Sequence, residues 1–243
     1  SWFHYEPHHR LHCGIDQRMT GILAIETATD ACSVAVFLNG EYNERHVIAP
    51  RQHSQLFFSM LEDLLPGGNL VEYGIEVIAY GSGPGSFTGL RIAASAAQGL
   101  AFSSRLPVVA VSTLSVLAQT ALRLGVIAAE DTVLCTLDAR INEIYSAVYS
   151  YESDLAVLRD GPWACAPGEL APAGEGALSA VGSGCHFQMQ FLPSLRARVQ
   201  AYALDVLPAA RDMIPLALEK FRRGEVQVAR EVQPVYVRDE ISW

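Results

Sequence analysis

The sequence lacks several features that would define a class of protein. No apolar run reaches the roughly 18 residues needed to span a bilayer. The N-terminus carries histidines and charges where a secretory signal would be apolar, so no signal peptide is expected. The five cysteines are scattered without a CxxC pair, which favours reduced thiols and a cytoplasmic protein over a disulfide framework; they are Cys13, Cys32, Cys135, Cys165 and Cys185.

Positive charge is also scarce. The chain has 17 Lys and Arg against 26 Asp and Glu, a formal net charge of −9. Neutralising phosphates requires Lys and Arg, so independent binding to nucleic acid is not expected. If RNA is involved, a partner must supply most of the positive surface.

What the sequence does contain is enough apolar material for a large core. Half of the 243 residues are apolar and 18% are charged, which suits one large domain or two small ones. Residues 1–20 hold four of the seven histidines and show no hydrophobic period, so a disordered extension is expected there. A metal site formed by those histidines and Cys13 is the alternative. We expect an N-terminal lobe over 21–125 and a C-terminal lobe over 126–243, whose final helix and tail return to the first.

The glycine-rich stretch 81–91 is the most distinctive motif. The apolar run 75–80 precedes it and a helical pattern of small residues, about 88–102, follows it. A strand, a glycine loop and a helix N-terminus in this order expose backbone N–H groups at the positive end of a helix dipole. The loop either holds an anion or forms a tight turn against a neighbouring segment, and the pattern leaves both open.

Two predicted helices carry more apolar or small residues than a single core-facing stripe needs. The helix at about 52–65 is apolar on more than one side, and the helix at about 88–102 is rich in Ala and Gly. Such faces favour contact with a partner as well as with the chain's own core. Burial wholly within one domain is the alternative.

Strand patterns occur in two similar sets. Residues 22–27 and 32–38 are predicted strands, and Asn39-Gly40 indicates a hairpin into a third strand. Residues 133–137 and 143–149 repeat the pair, and the carboxylates Glu26 and Asp138 end the two leading strands. The repetition predicts two similar lobes.

These segments together resemble the bacterial TsaB (YeaZ) family. The resemblance rests on residues 22–36, 50–54, 83–91, 111–114, 137–140 and 234–238, and it is thin over 151–230. It implies an α/β, two-lobed actin/Hsp70/acetate-kinase-like (ASKHA) fold, with mixed sheets flanked by helices. It also implies a non-catalytic subunit of the complex that makes threonylcarbamoyladenosine next to the tRNA anticodon.

The resemblance further implies partners and an interface. The family works with the transferase TsaD, the ATPase TsaE and, indirectly, the synthase TsaC, and it contacts tRNA only through the complex. Alone it forms homodimers, and both kinds of pairing use the two helices described above. The expected interface residues are Leu56, Phe57, Met60, Arg91, Ala93, Ala94 and Ala97.

No tightly bound cofactor is expected, but ATP or ADP with Mg²⁺ at the partner boundary is a hypothesis. In active members of this fold, an acid at the end of the first strand helps to position metal and phosphate. Candidate nucleotide or phosphate contacts are Glu26, Thr27, Gly83, Gly85, Ser86 and Asp138. The alternative for Glu26 is a carboxylate that accepts hydrogen bonds from the adjoining turn, and for Asp138 and Arg140 it is a braced hairpin.

Two other functions are weighed against the scaffold. A stand-alone ATPase or small-molecule kinase of the same fold would need a second acid and an adenosine loop, for which Gly182-Ser-Gly184 is only a weak candidate. A metallopeptidase, suggested by the family's older glycoprotease label, would need paired histidines. His53 has no partner three or four residues on, so it is expected to cap its helix or lie in an interface, and no metal site is predicted.

Overall fold

The computed structural model of the protein describes residues 20–237. The extension predicted at residues 1–20 therefore lies, apart from Thr20, outside the described residues. Within residues 20–237, no helix is both long enough and apolar enough to cross a membrane.

The first sheet has five strands in the order β3-β2-β1-β4-β5. Its strands are β1 (Gly21–Glu26), β2 (Ala31–Leu38), β3 (Glu41–Ile48), β4 (Ile75–Gly83) and β5 (Val108–Ser112). The strands β1, β2 and β3 are antiparallel, whereas β4 and β5 lie parallel to β1. The predicted hairpin at Asn39-Gly40 is confirmed, because both residues have positive φ, as such a tight turn requires.

Helices cover both faces of this sheet, which explains why β1 and β4 are apolar along almost their whole length. On one face lie α1 (His53–Leu64) and α2 (Phe87–Ser104), which pack against Leu23 and Ile25. On the other lie α3 (Thr113–Arg123) and α5 (Ala210–Arg222), which pack against the alternate side chains of the same strand.

The second sheet repeats the arrangement of the first. Its order is β10-β9-β6-β7-β8, formed by β6 (Val133–Arg140), β7 (Glu143–Glu152), β8 (Leu155–Cys165), β9 (Leu178–Val181) and β10 (Val199–Ala203). Three antiparallel strands are again followed by two parallel ones. The short helix α4 (Pro193–Arg198) lies beside β10. The two mixed sheets with flanking helices confirm the predicted two-lobed, actin-like α/β fold.

Helix α3 connects the two halves. Its apolar residues pack against β6 and β7 of the second sheet, whereas Val116 packs against the first. Ser112 stands at the N-cap position of this helix, but its side chain makes no capping hydrogen bond. Pro215 lies inside α5, which nevertheless continues for two more turns.

The segment 224–237, after α5, returns across the first sheet. Gln227 pairs with Val108 at the edge strand β5, and the buried Tyr80 hydroxyl donates to the Gln233 carbonyl at 3.0 Å. Val235 N–H donates to the Ser82 carbonyl at 2.7 Å. This segment, called the tail below, thus runs along the glycine-rich loop.

Candidate functional site

A cleft of about 1460 Å³ lies where the ends of the two sheets face each other. Its walls come from the β1–β2 turn, the start of α1, the glycine loop, the β6–β7 turn and the C-terminal tail. The polar and aromatic residues that line it include Asp30, Arg51, His53, Ser86, Phe87, Asp138, Arg140, Tyr145, Ser183 and Tyr236.

The glycine loop serves close packing against the β1–β2 turn. A Cβ atom on Gly85 would lie 2.5 Å from the Ala28 carbonyl oxygen, and one on Gly89 would lie 1.9 Å from that of Thr27. Ser86 N–H donates to the Ala28 carbonyl at 2.7 Å, and the Ser86 hydroxyl accepts from Gly89 N–H at 3.4 Å. Of the two readings of the motif, these contacts support the tight turn against a neighbour.

The predicted phosphate contacts divide into two groups. Gly85, Ser86 and Asp138 line the cleft, as a ligand contact would require. Glu26 and Thr27 do not, because both are fully buried, so their contact with a ligand stays a prediction that the closed protomer does not favour. Gly83 is buried too, and a Cβ atom there would lie 2.6 Å from the Val235 carbonyl oxygen of the tail.

Glu26 turns inward and supports the turn that follows it. Its Oε1 accepts from Ala28 N–H at 2.8 Å, as the alternative interpretation of this residue expects. Burial raises the pKa of Glu26 to about 7, although the backbone N–H groups of Ala28 and Thr27 and the nearby Thr113 hydroxyl act to lower it. The hydroxyl of Thr27 donates to the Gly89 carbonyl at 2.7 Å and so ties the turn to α2.

Asp138 and Arg140 brace the matching turn in the second half. Asp138 Oδ1 accepts from the Arg140 backbone N–H at 2.8 Å, and Oδ2 lies 3.5 Å from Arg140 Nη1. Arg140 also reaches across the cleft to Asp30, with 3.8 Å between Nη2 and Oδ1. Ser183 accepts from Asp138 N–H at 3.0 Å, and the Gly182-Ser-Gly184 segment packs against β6 as the start of a 3-10 helix over Ser183–Gln190.

His53 opens α1 without capping it. Its Nε2 lies 2.8 Å from the Thr29 carbonyl oxygen and 3.2 Å from that of Ala31, so the ring donates to the β1–β2 turn. Over residues 20–237, no three His, Cys, Asp or Glu side chains lie close enough together to hold a metal ion. The side chains that line the cleft therefore give it a surface that forms hydrogen bonds and ion pairs.

Most predicted interface residues belong to the chain's own core. Phe57, Met60, Ala93, Ala94 and Ala97 are all 5% exposed or less and pack in the cluster that joins α1 and α2 to the sheet. In the folded protomer these five side chains therefore pack in the chain's own core, and their contact with a partner stays a prediction. The small residues of α2 let that helix approach its own sheet.

The outward sides of the same helices do carry apolar groups. Phe58 on α1 is 67% exposed and Phe102 on α2 is 80% exposed. Leu56 is half-buried, and Arg91 is exposed with its guanidinium 3.8 Å from the centre of the Phe87 ring. The width of the apolar face of α1 already indicated a second contact side, but the sequence did not distinguish Phe57 from Phe58.

The tail adds an aromatic group that the sequence did not assign to a site. The ring centres of Tyr236 and Phe87 lie 5.9 Å apart, and both side chains line the cleft beside the start of α2. Nothing local predicts this pairing, because 149 residues separate the two positions in the sequence. Only the return of segment 224–237 to the first sheet brings them together.

The sequence comparisons find proteins whose names refer to threonylcarbamoyl modification of tRNA. A family model described as "TsaD: tRNA N6-adenosine threonylcarbamoyltransferase" matches residues 46–174. The "tRNA threonylcarbamoyladenosine biosynthesis protein TsaB" of Escherichia coli K12 is 37% identical over 91% of this chain and 96% of its own length. The protein of the same name from Haemophilus influenzae is 32% identical over 91% of this chain and 95% of its own length.

Structural comparison gives the same result. A solved structure described as "YeaZ from Pseudomonas aeruginosa" superimposes with a TM-score of 0.82 and 34% identity, covering 90% of this chain and all of that one. A transferase relative, "tRNA N6-adenosine threonylcarbamoyltransferase" of Buchnera aphidicola, matches 39% of this chain and 33% of its own length. The similarity to the proteins named TsaB or YeaZ therefore extends over nearly the whole fold, whereas this transferase matches in part.

Proposed function

The chain belongs to the TsaB family of tRNA threonylcarbamoyladenosine biosynthesis proteins, and from this premise we propose that it is the subunit that binds and activates TsaD. In this proposal the transfer of the threonylcarbamoyl group occurs on TsaD, and the present chain has no catalytic centre of its own. The observation that carries the proposal is the match to TsaB of E. coli over 91% of this chain and 96% of that one.

The burial of Glu26 supports a non-catalytic role. The acid at the end of the first strand is enclosed in the core, with its carboxylate bound to the following turn. The carboxylates that do line the cleft, Asp30 and Asp138, each lie within 4 Å of the Arg140 guanidinium. In this cleft the carboxylates form ion pairs with an arginine. An enzyme of this fold would instead leave its carboxylates free to bind a metal.

The outward sides of α1 and α2 are the proposed TsaD-binding surface. Phe58 and Phe102 supply exposed aromatic area, Leu56 adds a half-buried aliphatic group, and Arg91 adds a charge. Aromatic residues and Arg contribute strongly to protein interfaces. We propose that a second copy of this chain uses the same surface when TsaD is absent, so the two pairings compete.

The remaining members of the complex follow from the same proposal. TsaE would join through the TsaD-bound pair and TsaC would act indirectly, by supplying the adenylate that TsaD uses. Because the net charge is −9, tRNA would be held through the complex and not by this chain alone. Any ATP or ADP with Mg²⁺ would bind weakly at the partner boundary, where Gly85, Ser86 and Asp138 are the candidate contacts.

Reconstitution tests the function directly. Purified TsaD, TsaE and tRNA are supplied with threonylcarbamoyl adenylate, and the modified nucleoside is measured by mass spectrometry with and without this chain. We expect modification to depend on the chain, and we expect the chain alone to turn over no ATP in the presence of Mg²⁺. ATP turnover by the isolated chain would instead favour the stand-alone ATPase or kinase.

The surface is tested by Phe58→Asp and Phe102→Asp. A charge on an exposed side chain leaves the core intact but prevents its burial against a partner. We expect both variants to keep the wild-type unfolding midpoint and to lose TsaD binding and self-association, measured by sedimentation. Met189→Asp, at an equally exposed apolar position (77%) in the second half, is the matched control. Undiminished association of both helix variants would contradict this surface.

A further inference from the structure

The buried carboxyl group of Glu26 does not fit the metal role that the fold suggests for this position. Its side chain is fully buried and does not line the cleft. A metal-bound nucleotide in the cleft would lie beyond the turn that follows β1. The buried position of the Glu26 carboxyl group therefore requires another explanation.

One oxygen of this carboxyl group is left without a partner. Glu26 Oε2 is buried and makes no hydrogen bond at the observed geometry, and the same is true of the buried Thr113 Oγ1. The Thr113 hydroxyl is nonetheless close enough to influence the pKa of Glu26. Gly81 makes room for the group, because a Cβ atom there would lie 2.2 Å from Oε2.

Within the described residues 20–237, no cation offsets the charge that an ionised Glu26 would carry. The raised pKa arises from burial, and the groups that oppose it are the backbone N–H groups of Ala28 and Thr27 and the nearby Thr113 hydroxyl, with no charged neighbour among them. The charged or titratable residues on the elements packed around β1 are Cys32 on β2, Glu76 and Tyr80 on β4, His53, Glu62 and Asp63 on α1, Arg91 on α2, Arg123 on α3, and Arg211, Asp212, Glu219, Lys220 and Arg222 on α5, and none of them is a cause of the shift. A buried carboxylate without a paired cation is strongly disfavoured.

We propose that Glu26 is held as a neutral carboxylic acid whose proton joins the end of β1 to Thr113 at the start of α3 and thereby supports the turn 27–30 that walls the cleft. The neutral form needs no paired cation, and its Oε2 hydroxyl donates to Thr113 Oγ1 once the two side chains move within hydrogen-bond distance. Oε1 remains free to accept from Ala28 N–H. This inference is independent of the proposed function.

The proposed hydrogen bond between Glu26 and Thr113 lies where ionisation of Glu26 would affect the cleft. Helix α3 packs against both sheets, and the turn 27–30 contacts the glycine loop through Ser86 N–H and the close approach of Gly89. Ionisation of Glu26 places an unpaired charge between these elements. Water must then enter or the turn must move, so the wall of the cleft loosens as pH rises.

The sign of the pH dependence follows from the raised pKa. Between the ordinary value of 4.5 and about 7, the folded state binds more protons at Glu26 than the unfolded state does. Stability therefore falls as pH rises through this window and levels off above it. From pH 5 to pH 8 the contribution of Glu26 to the folding equilibrium constant falls by roughly 70-fold, by the linkage relation.

Glu26→Gln tests the proposal, because an amide retains the shape and hydrogen bonds of the neutral acid and cannot ionise. Urea unfolding of the full chain is measured at pH 5, 6, 7 and 8. We expect the folding constant of the variant, relative to wild type, to rise by roughly 70-fold between pH 5 and pH 8. Glu76→Gln, at an exposed position on β4, is the matched control and should show no such rise. A constant ratio for Glu26→Gln overturns the proposal.

A second measurement covers the case in which the variant does not fold. Infrared spectra of the wild-type protein are recorded across the same pH range, because the carbonyl band of a neutral carboxylic acid is separate from that of a carboxylate. We expect a neutral carboxyl band that persists at pH 6 and disappears near pH 7 while the protein remains folded. Loss of every such band by pH 5 would show that Glu26 is ionised and would overturn the proposal.

Discussion

The two halves of the molecule begin with the same hairpin, but they place its acid in opposite environments. Glu26 ends β1 and is fully buried, whereas Asp138 near the end of β6 lies in the wall of the cleft with its side chain 29% exposed. In the first half the glycine loop closes over the turn, with Gly81 against Glu26 and Gly89 against Thr27. In the second, Ser183 binds the Asp138 backbone and leaves the carboxylate accessible to Arg140.

A repeated local pattern therefore does not fix the chemical role of the acid at its end. Both acids accept a hydrogen bond from the backbone N–H two residues on, at 2.8 Å. What separates them is the neighbouring loop, because burial determines whether the carboxyl group holds a proton or forms an ion pair. The substitutions that follow change the environment of each acid separately.

The largest effect is expected where the glycine loop meets the first hairpin. A methyl group at Gly89 would lie 1.9 Å from a backbone carbonyl oxygen, so Gly89→Ala must displace α2 or the turn. We expect a loss of about 3 kcal/mol in the free energy of unfolding, measured with urea.

Gly99→Ala is the control on the same helix. Nothing lies within 4 Å of a Cβ atom at Gly99, so this change should stabilise the protein by about 0.5–1 kcal/mol through helix propensity. Equal effects of the two substitutions would show that the close approach of α2 to the turn is not tight.

The next effect compares the two acids directly. Glu26→Ala removes a buried side chain and leaves Ala28 N–H without its acceptor, so at pH 6 we expect a loss of about 2–3 kcal/mol. Asp138→Ala removes a partly exposed group, and water can replace it at Arg140 N–H, so about 1 kcal/mol or less is expected.

Raising the pH sharpens this comparison. At pH 8 the wild-type protein already bears the cost of an ionised Glu26, because burial has raised the pKa of that group to about 7. The loss from Glu26→Ala should therefore shrink between pH 6 and pH 8, while that from Asp138→Ala stays the same. Parallel pH profiles for the two variants would contradict the different environments assigned to the acids.

The smallest effect is expected for the contact between the two hairpins. Arg140 lies 3.8 Å from Asp30 across the cleft, and both side chains are more than half exposed. Exposed ion pairs contribute little and are screened by salt. Arg140→Ala should therefore change the free energy of unfolding by about 0.5 kcal/mol at low salt and by less at 0.5 M salt. A large loss that persists in high salt would mean that the two halves depend on this pair.

Much of the fold was predictable because its signals are local. The apolar runs of β1 and β4, the Asn39-Gly40 turn and the repeated strand pairs each indicate their structure within a few residues. Helices α1 and α2 were predicted to within about two residues at each end. The family resemblance added the two-lobed arrangement, which no single segment encodes.

The candidate site was less predictable because burial is not a local property. Ala93 and Ala97 were assigned to an interface, yet small residues on a helix allow close approach to a partner or to the chain's own sheet equally well. Phe57 and Phe58 are adjacent and chemically identical, but one is 1% and the other 67% exposed. Tyr236 joins the cleft only because the tail returns across the first sheet.

The sequence by itself determined the strands and helices of the first half, the leading strand pair of the second, and the family to which the chain belongs, since these depend on short patterns and on overall similarity. Only the tertiary structure decided that the glycine loop packs against a turn, that Glu26 is enclosed, and which sides of α1 and α2 remain exposed. The physical reason is that the environment of a side chain is set by segments distant in the sequence, which meet only when the chain folds.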